Sequence, residues 1–316
     1  MKIISAEEVH EVLKYPDFVN ILKEAYAGSY TMPPRKVFLL EEGSHDAFAL
    51  LPSWNDNVIG VKSFTYFPHN EDPYKSLYSK ILLFDRKHGE PLALVDGISV
   101  TFFRTAGVSA LASQFLSRED SETLLLLGTG NLARFLIRAH ASVRPLKNIL
   151  LWGRTKANAE AVVADMQKEL PDIEFVVADD IQTACGQADI VVAATGSPDI
   201  LVQGDWIKEG THTDFIGNHH ADKRECDTAL VVKSKVYLDT YVNCFNEAGE
   251  VLVPIEEGVL KKEDVKGELA ELCMAKVKGR ESDSEITLFK SVGSALSDLV
   301  GANHAFQSLS KSQKAS

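Results

Sequence analysis

The sequence predicts an α/β protein in which a doubly wound parallel sheet is joined to a second, smaller α/β domain. From residue 123 onwards, short apolar segments alternate with helical segments, which is typical of a parallel sheet. Residues 1–96 differ, because β-rich runs follow one another through short loops and so predict an antiparallel or mixed sheet. A glycine turn between the apolar run Leu124–Leu127 and a helical pattern indicates a ligand-binding loop in the parallel part.

The N-terminal part of the chain is predicted to hold two helices and five strands. One helix covers residues 6–28, and a second covers residues 99–115 and leads to a domain boundary at residues 117–121. The run ILLFDRKHGEPLALVD predicts a hairpin, because two β-rich runs flank a polar loop that contains Gly89. The predicted strands cover residues 36–40, 47–52, 58–65, 80–85 and 91–96.

The later part of the chain is predicted to supply the strands of the parallel sheet. The closing run ITLFKSVGSALSDLVGANHAF predicts one further strand followed by a helix. The other predicted strands cover residues 123–127, 149–152, 174–177, 190–193, 213–216 and 236–238.

Composition narrows the class of protein. With 316 residues, 45% of them hydrophobic, the chain can bury a large core and fill two domains. A net charge of −12 argues against nucleic acid as a partner. There is no run of about 18 apolar residues, and the N-terminus MKIISAEEVHEVL lacks an apolar signal core. We therefore expect no membrane association and a cytoplasmic location, in which the four scattered cysteines are reduced thiols.

Potential metal ligands crowd the segment THTDFIGNHH. The four side chains concerned are His212, Asp214, His219 and His220. Their spacing could suit zinc, but no cysteine or glutamate completes a convincing set. We therefore expect no bound metal.

The run LLLLGTGNLARFLIRAH predicts the loop that holds the pyrophosphate of a dinucleotide in a Rossmann-type fold. Gly128 permits the tight turn, Gly130 lets the backbone approach phosphate, and Ala133 keeps the helix close to the sheet. The positive end of the helix then meets the phosphates. The predicted contacts in this loop are Gly128, Thr129, Gly130, Asn131 and Leu132.

The residues after the next strand bear on the choice of dinucleotide. NAD enzymes carry an acidic residue there to bind the adenosine ribose, whereas this chain has Gly153, Arg154 and Thr155. The arginine can pair with a 2′-phosphate, and the threonine hydroxyl can donate a hydrogen bond to it. Glycine, which has no side chain, leaves space for the phosphate. We therefore predict that NADP(H) is favoured and that NAD(H) is possible.

Seven motifs, in this order, give the chain a resemblance to the ornithine cyclodeaminase/mu-crystallin family over nearly its full length. They are PPR (33–35), VKSF (61–64), TFFRTAGVSALA (101–112), GTGNLA (128–133), ATGS (194–197), IGNHHADKREC (216–226) and ITLFKSVGSALSDL (286–299). The resemblance implies a substrate-binding and dimerisation domain, residues 1–116 with 296–316, around a Rossmann domain, residues 117–295. It also implies a homodimer in which the two substrate domains pair their sheets.

Family substrates share an α-carboxylate next to a carbon that gains or loses hydride. The resemblance places Arg35, Lys62 and Arg104 at substrate-binding positions. A guanidinium such as that of Arg104 can grip a carboxylate with two parallel hydrogen bonds. Lys62 supplies a point charge that could also protonate a substrate nitrogen. Tyr78 falls where some relatives carry a threonine, so its larger side chain would reshape the substrate pocket.

The segment IGNHHADKREC distinguishes activities within the family. Cyclodeaminases carry a proton-shuttling aspartate at the second residue after the glycine, and here that residue is His219. A histidine can still transfer a proton near neutral pH, so Lys62 and His219 are the predicted catalytic residues. Lys223 and Glu225 also fall on family positions. The remaining cofactor contacts predicted from the resemblance are Thr195, Ile216, Lys223, Ser291 and Val292.

These observations together predict an NADPH-dependent reductase of cyclic imino acids, with 1-pyrroline-2-carboxylate giving proline as the leading pair. A small imino or amino acid is then the substrate. Two alternatives stay open from the sequence. One is an ornithine cyclodeaminase or an amino-acid dehydrogenase on the same scaffold, and the other is a non-catalytic protein that binds NADPH and a small ligand.

Overall fold

The computed structural model describes residues 1–315, with side chains as far as residue 311. The chain divides into two compact units: Met1–Thr105 together with the chain from Ser294 onwards, here called the terminal unit, and Ala106–Gly293, here called the central unit. The sequence predicts domain boundaries after residues 116 and 295. Both lie later in the chain than the observed boundaries, which follow Thr105 and Gly293. The difference at the first boundary arises because one helix, Gly97–Leu116, runs through it.

Every strand that the sequence predicts is present, and the strands at Lys2–Ile4, Tyr30–Thr31 and Gly267–Glu268 were not predicted. The strands are β1 (Lys2–Ile4), β2 (Tyr30–Thr31), β3 (Lys36–Leu39), β4 (Ala47–Asn55), β5 (Val58–Tyr66), β6 (Leu77–Asp85), β7 (Pro91–Asp96), β8 (Thr123–Leu127), β9 (Asn148–Trp152), β10 (Glu174–Val177), β11 (Ile190–Ala193), β12 (His212–Phe215), β13 (Lys235–Leu238), β14 (Gly267–Glu268) and β15 (Thr287–Lys290). The helices are α1 (Ala6–Val12), α2 (Asp17–Ala27), α3 (Gly97–Leu116), α4 (Ala133–Ala141), α5 (Lys156–Glu169), α6 (Ile181–Gln187), α7 (Thr228–Lys233), α8 (Tyr241–Glu247), α9 (Gly249–Glu256), α10 (Leu269–Cys273) and α11 (Ala295–Ala315).

The terminal unit is built on a mixed seven-stranded sheet, as predicted. The strand order is β1-β7-β6-β5-β4-β2, with β3 also paired to β4, and only the β1–β7 pair is parallel among the described residues. Helix α11 packs against β4, β5 and β6. Because side chains alternate between the faces of a strand, Val58, Gly60 and Lys62 all lie on the buried face of β5. The alternation therefore buries a lysine.

One predicted helix is wrong in this unit. The sequence predicts a continuous helix over residues 6–28, whereas the structure has two helices, α1 and α2, separated by a non-helical segment from Leu13 to Pro16. Proline has no backbone N–H and its ring clashes with the preceding helical turn, so the helix restarts after it. Ser5 and Glu8 form a reciprocal capping box that marks the start of α1.

The central unit is built on an eight-stranded parallel sheet. Its strand order is β10-β9-β8-β11-β12-β15-β13-β14, so the chain adds β9 and β10 on one side of β8 and then crosses to β11 on the other. Ligands bind open α/β sheets outside the carboxyl ends of the strands, at the place where the order reverses. That place is here the carboxyl end of β8, where the predicted glycine turn begins. The Rossmann-type fold class is therefore confirmed.

Candidate active site

The turn after β8 has the geometry that a dinucleotide pyrophosphate requires. Gly128 has a φ of +118°, and a Cβ on it would lie 2.6 Å from the carbonyl oxygen of Ala194, which excludes a side chain. No atom lies within 4 Å of the position of a Cβ on Gly130, so the backbone borders open space. Helix α4 begins at Ala133 without a side-chain cap and so offers backbone N–H groups to an anion. These features fit a dinucleotide.

The segment after β9 carries the residues predicted to choose the dinucleotide. A Cβ on Gly153 would lie 2.5 Å from Cγ2 of Thr129, so the two loops approach each other closely at this glycine. The Arg154 side chain is exposed. Thr155 is the N-cap residue of α5 but makes no capping hydrogen bond with its side chain. The guanidinium and the hydroxyl are therefore accessible to a ligand.

A buried carboxylate joins the loops that follow β11 and β12. Glu225 accepts hydrogen bonds from the backbone N of Thr195 at 2.8 Å, from Thr195 Oγ1 at 2.7 Å and from the backbone N of Gly217 at 2.8 Å. Burial raises the pKa of Glu225, and the positive charge of Lys290 acts in the opposite direction. Because the Thr195 hydroxyl donates to Glu225, it would act toward a bound ribose as an acceptor.

Lys290, at the end of β15, anchors the loop after β12. Its Nζ lies 2.7 Å from Glu250 Oε2, and it donates to the carbonyl oxygen of Asn218 at 2.7 Å. The side chains of Lys290 and Glu250 are both 0% exposed. Glu250 Oε1 also accepts from the backbone N of Glu225 at 3.0 Å. A buried ion pair thus fixes the backbone immediately before His219.

His219, the predicted proton donor, lies at the exposed part of this loop. Its ring stacks on that of His220, with 4.7 Å between the centroids. Ile216 and Lys223, two predicted cofactor contacts, flank the loop and are half-buried. The catalytic role of His219 stays a prediction.

Ser291 and Val292, predicted to lie near the nicotinamide, are held by an aspartate at the end of β13. Asp239 Oδ2 accepts hydrogen bonds from Ser291 Oγ at 2.7 Å, from the backbone N of Val292 at 3.0 Å and from the backbone N of Gly293 at 2.7 Å. Its Oδ1 accepts from the backbone N of Thr240 at 2.6 Å. These hydrogen bonds to one carboxylate hold the backbone of the KSVG segment in a fixed conformation.

Two predicted substrate cations meet in the terminal unit. Lys62 Nζ lies 3.1 Å and Arg104 Nε lies 3.0 Å from the same atom, Asp298 Oδ1 on α11. Lys62 also donates to Thr101 Oγ1 at 2.7 Å. Desolvation by burial lowers the pKa of Lys62 to about 8, and the charge of Asp298 opposes that shift. We call Lys62, Arg104 and Asp298 the cation cluster.

The other two predicted substrate residues are placed differently. The charge of Arg35 acts on Lys62 and lowers its pKa, so the guanidinium lies near the cation cluster. Tyr78 pairs with Thr65 in the sheet, whereas Lys62 pairs with Ile81, and the alternation of β6 puts Tyr78 and Ile81 on opposite faces. The Tyr78 hydroxyl accepts a hydrogen bond from the backbone N of Lys75 at 3.0 Å. The structure does not bring Tyr78 to the cation cluster, and its role in the pocket stays a prediction.

Three acidic residues that organise these sites were not predicted from the sequence: Asp239, Glu250 and Asp298. Each lies in a segment with ordinary helix or strand patterning, and nothing in that patterning separates it from a surface acid. Asp298 belongs to the SALSDL part of a motif that carries the family resemblance, which is the one signal that could have found it.

Within residues 1–315, no three His, Cys, Asp or Glu side chains come together as metal ligands. Among the helices that the structure describes, none combines the length and the apolar character needed to cross a bilayer.

A family model for the ornithine cyclodeaminase/mu-crystallin family matches residues 2–313. The chain belongs to this family. A Delta(1)-pyrroline-2-carboxylate reductase from Colwellia psychrerythraea is 47% identical over 314 residues, covering 98% of this chain and 99% of that protein. A second protein of that name, from Paracoccus denitrificans, is 35% identical over 78% of each chain.

Solved structures agree with the family over the whole chain. The Delta(1)-pyrroline-2-carboxylate reductase of Thermococcus litoralis, in complex with NADH and L-proline, superposes with a TM-score of 0.93 at 31% identity, covering 99% of this chain and 98% of that one. An archaeal alanine dehydrogenase dimer with bound NAD superposes with a TM-score of 0.91 at 26% identity, covering 99% and 97% of the two chains.

Proposed function

We propose that the protein reduces 1-pyrroline-2-carboxylate to proline with NAD(P)H. The observation that carries the proposal is the cation cluster, where two buried cations that suit a carboxylate converge on one aspartate oxygen. The glycine turn after β8, with its uncapped helix start, supplies a fitting place for the dinucleotide. The relative from Colwellia psychrerythraea, 47% identical over almost its full length, supports the choice of substrate.

The side chains of the cation cluster suit reduction of an imine. Arg104 would bind the substrate carboxylate through two parallel N–H groups, and Lys62 would add a point charge. A bound dinucleotide would supply the hydride for the C=N carbon. The imine nitrogen takes up one proton, so that imine, NAD(P)H and a proton become secondary amine and NAD(P)⁺. With a pKa of about 8, Lys62 is mainly protonated at neutral pH and can donate that proton. His219 or a water molecule is the alternative donor.

The test is an assay of NADPH and NADH oxidation with 1-pyrroline-2-carboxylate and with its six-membered homologue. We expect imine-dependent oxidation and formation of proline in equal amount from the five-membered substrate. Ornithine with NAD is the comparison reaction. Rapid release of ammonia and proline from ornithine would instead support a cyclodeaminase, and inactivity with every substrate would support a non-catalytic binding protein.

We propose in addition that NADPH is the preferred hydride donor. Support comes from the exposed Arg154 guanidinium and from the Thr155 hydroxyl, which is not used to cap α5. No carboxylate stands in the segment Gly153–Thr155, where a ribose-binding acid would favour NAD(H). The solved relatives named above hold NADH or NAD.

Replacing Arg154 with alanine should weaken NADPH binding by about 10- to 100-fold, since a charged hydrogen bond contributes about 1.5–3 kcal/mol. NADH binding should change less than about twofold, because NADH lacks the 2′-phosphate. Dissociation constants from the quenching of protein fluorescence measure both effects. Arg138→Ala, which removes an arginine paired with Glu169 at the far end of α4, is the matched control. Tighter binding of NADH than of NADPH by the wild-type protein would contradict the preference.

A homodimer formed through the terminal unit is part of the proposal. Residues Val37–Leu40, in and after β3, are 49–64% exposed although all four are large and apolar. Exposed apolar residues of this kind mark protein interfaces. The archaeal alanine dehydrogenase named above is a dimer. Light scattering of the purified protein tests the proposal. A cytoplasmic location and a place in proline metabolism stay predictions.

A further inference from the structure

One oxygen of Asp298 holds both substrate cations. Asp298 Oδ1 accepts from Lys62 Nζ at 3.1 Å and from Arg104 Nε at 3.0 Å. The aspartate side chain is 1% exposed, and those of the lysine and the arginine are 6% and 11% exposed. Its Oδ2 is buried and has no hydrogen-bond partner among the described residues. A buried carboxylate in this position is costly unless its charge is neutralised, so the two cations stabilise it.

The way Asp298 binds determines which donors stay available to a ligand. A lysine ammonium has three N–H groups, and Lys62 uses two of them on Thr101 Oγ1 and Asp298 Oδ1. Arg104 donates to Asp298 through Nε, and its Nη1 and Nη2 groups make no hydrogen bond within the part of the chain that is described. A carboxylate can pair with those two groups end-on. Two positive charges and one negative charge leave the cation cluster with one positive charge, which complements a monoanion.

We propose that Asp298 is a positioning residue, which holds the Lys62 ammonium and the Arg104 guanidinium in place for the substrate carboxylate. The identity of the substrate in this inference rests on the proposed function. The effect of Asp298 on Lys62 is independent of the proposed function. A surface aspartate would exert no such control, because solvent would screen its charge.

Asp298 also acts on the protonation of Lys62. Four groups face that ammonium: Asp298 from α11, Arg104 and Thr101 from α3, and Arg35 from the segment before β3. Burial, Arg104 and Arg35 lower the pKa of Lys62, whereas Asp298 raises it, with about 8 as the outcome. The protonated lysine is the form that binds an anion, so kcat/KM of the wild-type enzyme should fall as the pH rises above about 8. Without the carboxylate, the same fall should occur at lower pH.

The test compares Asp298→Asn and Asp298→Glu with wild type. For Asp298→Asn we expect KM for 1-pyrroline-2-carboxylate to rise about tenfold or more, as the loss of about one charged hydrogen bond implies. The alkaline fall of kcat/KM should move to lower pH. For Asp298→Glu, which keeps the charge but moves the carboxylate by one methylene, KM should rise while the alkaline fall stays near its wild-type position. Asp85→Asn removes a partly exposed aspartate that pairs with His88 in the same unit and should change neither quantity.

Two further measurements separate a positioning role from a failure to fold and from a wrong substrate. NADPH affinity should be unchanged in each variant. Titration of the Lys62 Nζ resonance by NMR should give a lower pKa in Asp298→Asn than in wild type. Wild-type KM and an unmoved alkaline fall in Asp298→Asn would overturn the inference, as would an unchanged Lys62 titration. A wild-type protein that does not reduce 1-pyrroline-2-carboxylate, with the Lys62 titration still displaced in Asp298→Asn, would overturn the proposed function and support the role of Asp298.

Discussion

Replacing Arg104 with methionine should lower kcat/KM for 1-pyrroline-2-carboxylate by about 10²- to 10³-fold. The guanidinium is the group best suited to bind the substrate carboxylate in two parallel hydrogen bonds, and each charged bond contributes about 1.5–3 kcal/mol. The methionine side chain retains much of the aliphatic part of arginine and lacks only the charged guanidinium group. Initial rates of NADPH oxidation over a range of imino acid concentrations measure the loss, which should appear mainly in KM.

Two control variants show whether the loss of kcat/KM comes from removal of the guanidinium or from a general disturbance of the folded structure. Arg104→Lys keeps a positive charge without the planar fork, so we expect a smaller loss than for methionine. Arg86→Met removes an exposed arginine of the same unit and should leave kcat/KM within about twofold of wild type. If Arg104→Met kept more than about a tenth of the wild-type kcat/KM, Arg104 would not be the carboxylate ligand.

Replacing Lys290 with methionine should lower the free energy of unfolding of the central unit by about 3–5 kcal/mol. The substitution leaves Glu250 as a fully buried carboxylate without its cation, 2.7 Å away in the wild type. It also removes the hydrogen bond to the carbonyl oxygen of Asn218, so the loop that carries His219 should lose its fixed course. Urea unfolding followed by circular dichroism measures the stability, and NADPH titration reports on the loop.

A paired variant isolates the buried charge as the cause. Lys290→Met with Glu250→Gln removes both charges and should recover part of the lost stability, because no charge is then left buried alone. Lys156→Met breaks the exposed ion pair with Asp179 and should cost less than about 1 kcal/mol. Equal stability losses for Lys290→Met and Lys156→Met would show that burial of the pair has no energetic consequence.

Elements with a strong local pattern were predicted well. The strands at residues 123–127, 174–177 and 190–193 have the observed bounds, because each is a short, mainly apolar run that is followed by polar or turn-forming residues within a few positions. Elements with little pattern were missed. The short strands β1, β2 and β14 contain two or three residues each, too few for a period to show. Tertiary pairing, rather than local preference, makes them strands.

In the candidate site, as in the fold, residues in a recognisable local motif were predicted and residues without one were missed. Gly128, Gly130 and Arg154 could be predicted as cofactor contacts because a glycine turn and the residue after the second strand are recognisable in a short stretch of sequence. Lys62 and Arg104 were predicted as substrate-binding residues through the family resemblance. Their common partner was not found, since Asp298 lies 236 residues from Lys62 and 194 residues from Arg104 in the chain.

The sequence by itself determined the fold class, and it predicted the place of the dinucleotide turn and the candidate substrate cations, because each of these depends on neighbouring residues or on motifs in order. Only the tertiary structure decided that Lys62 is buried with a pKa of about 8, that Asp298 joins it to Arg104, and that Lys290 and Glu250 form a buried pair. A charge acquires its pKa and its binding geometry from desolvation and from the partners around it. Those partners come from distant parts of the chain and meet only when it folds.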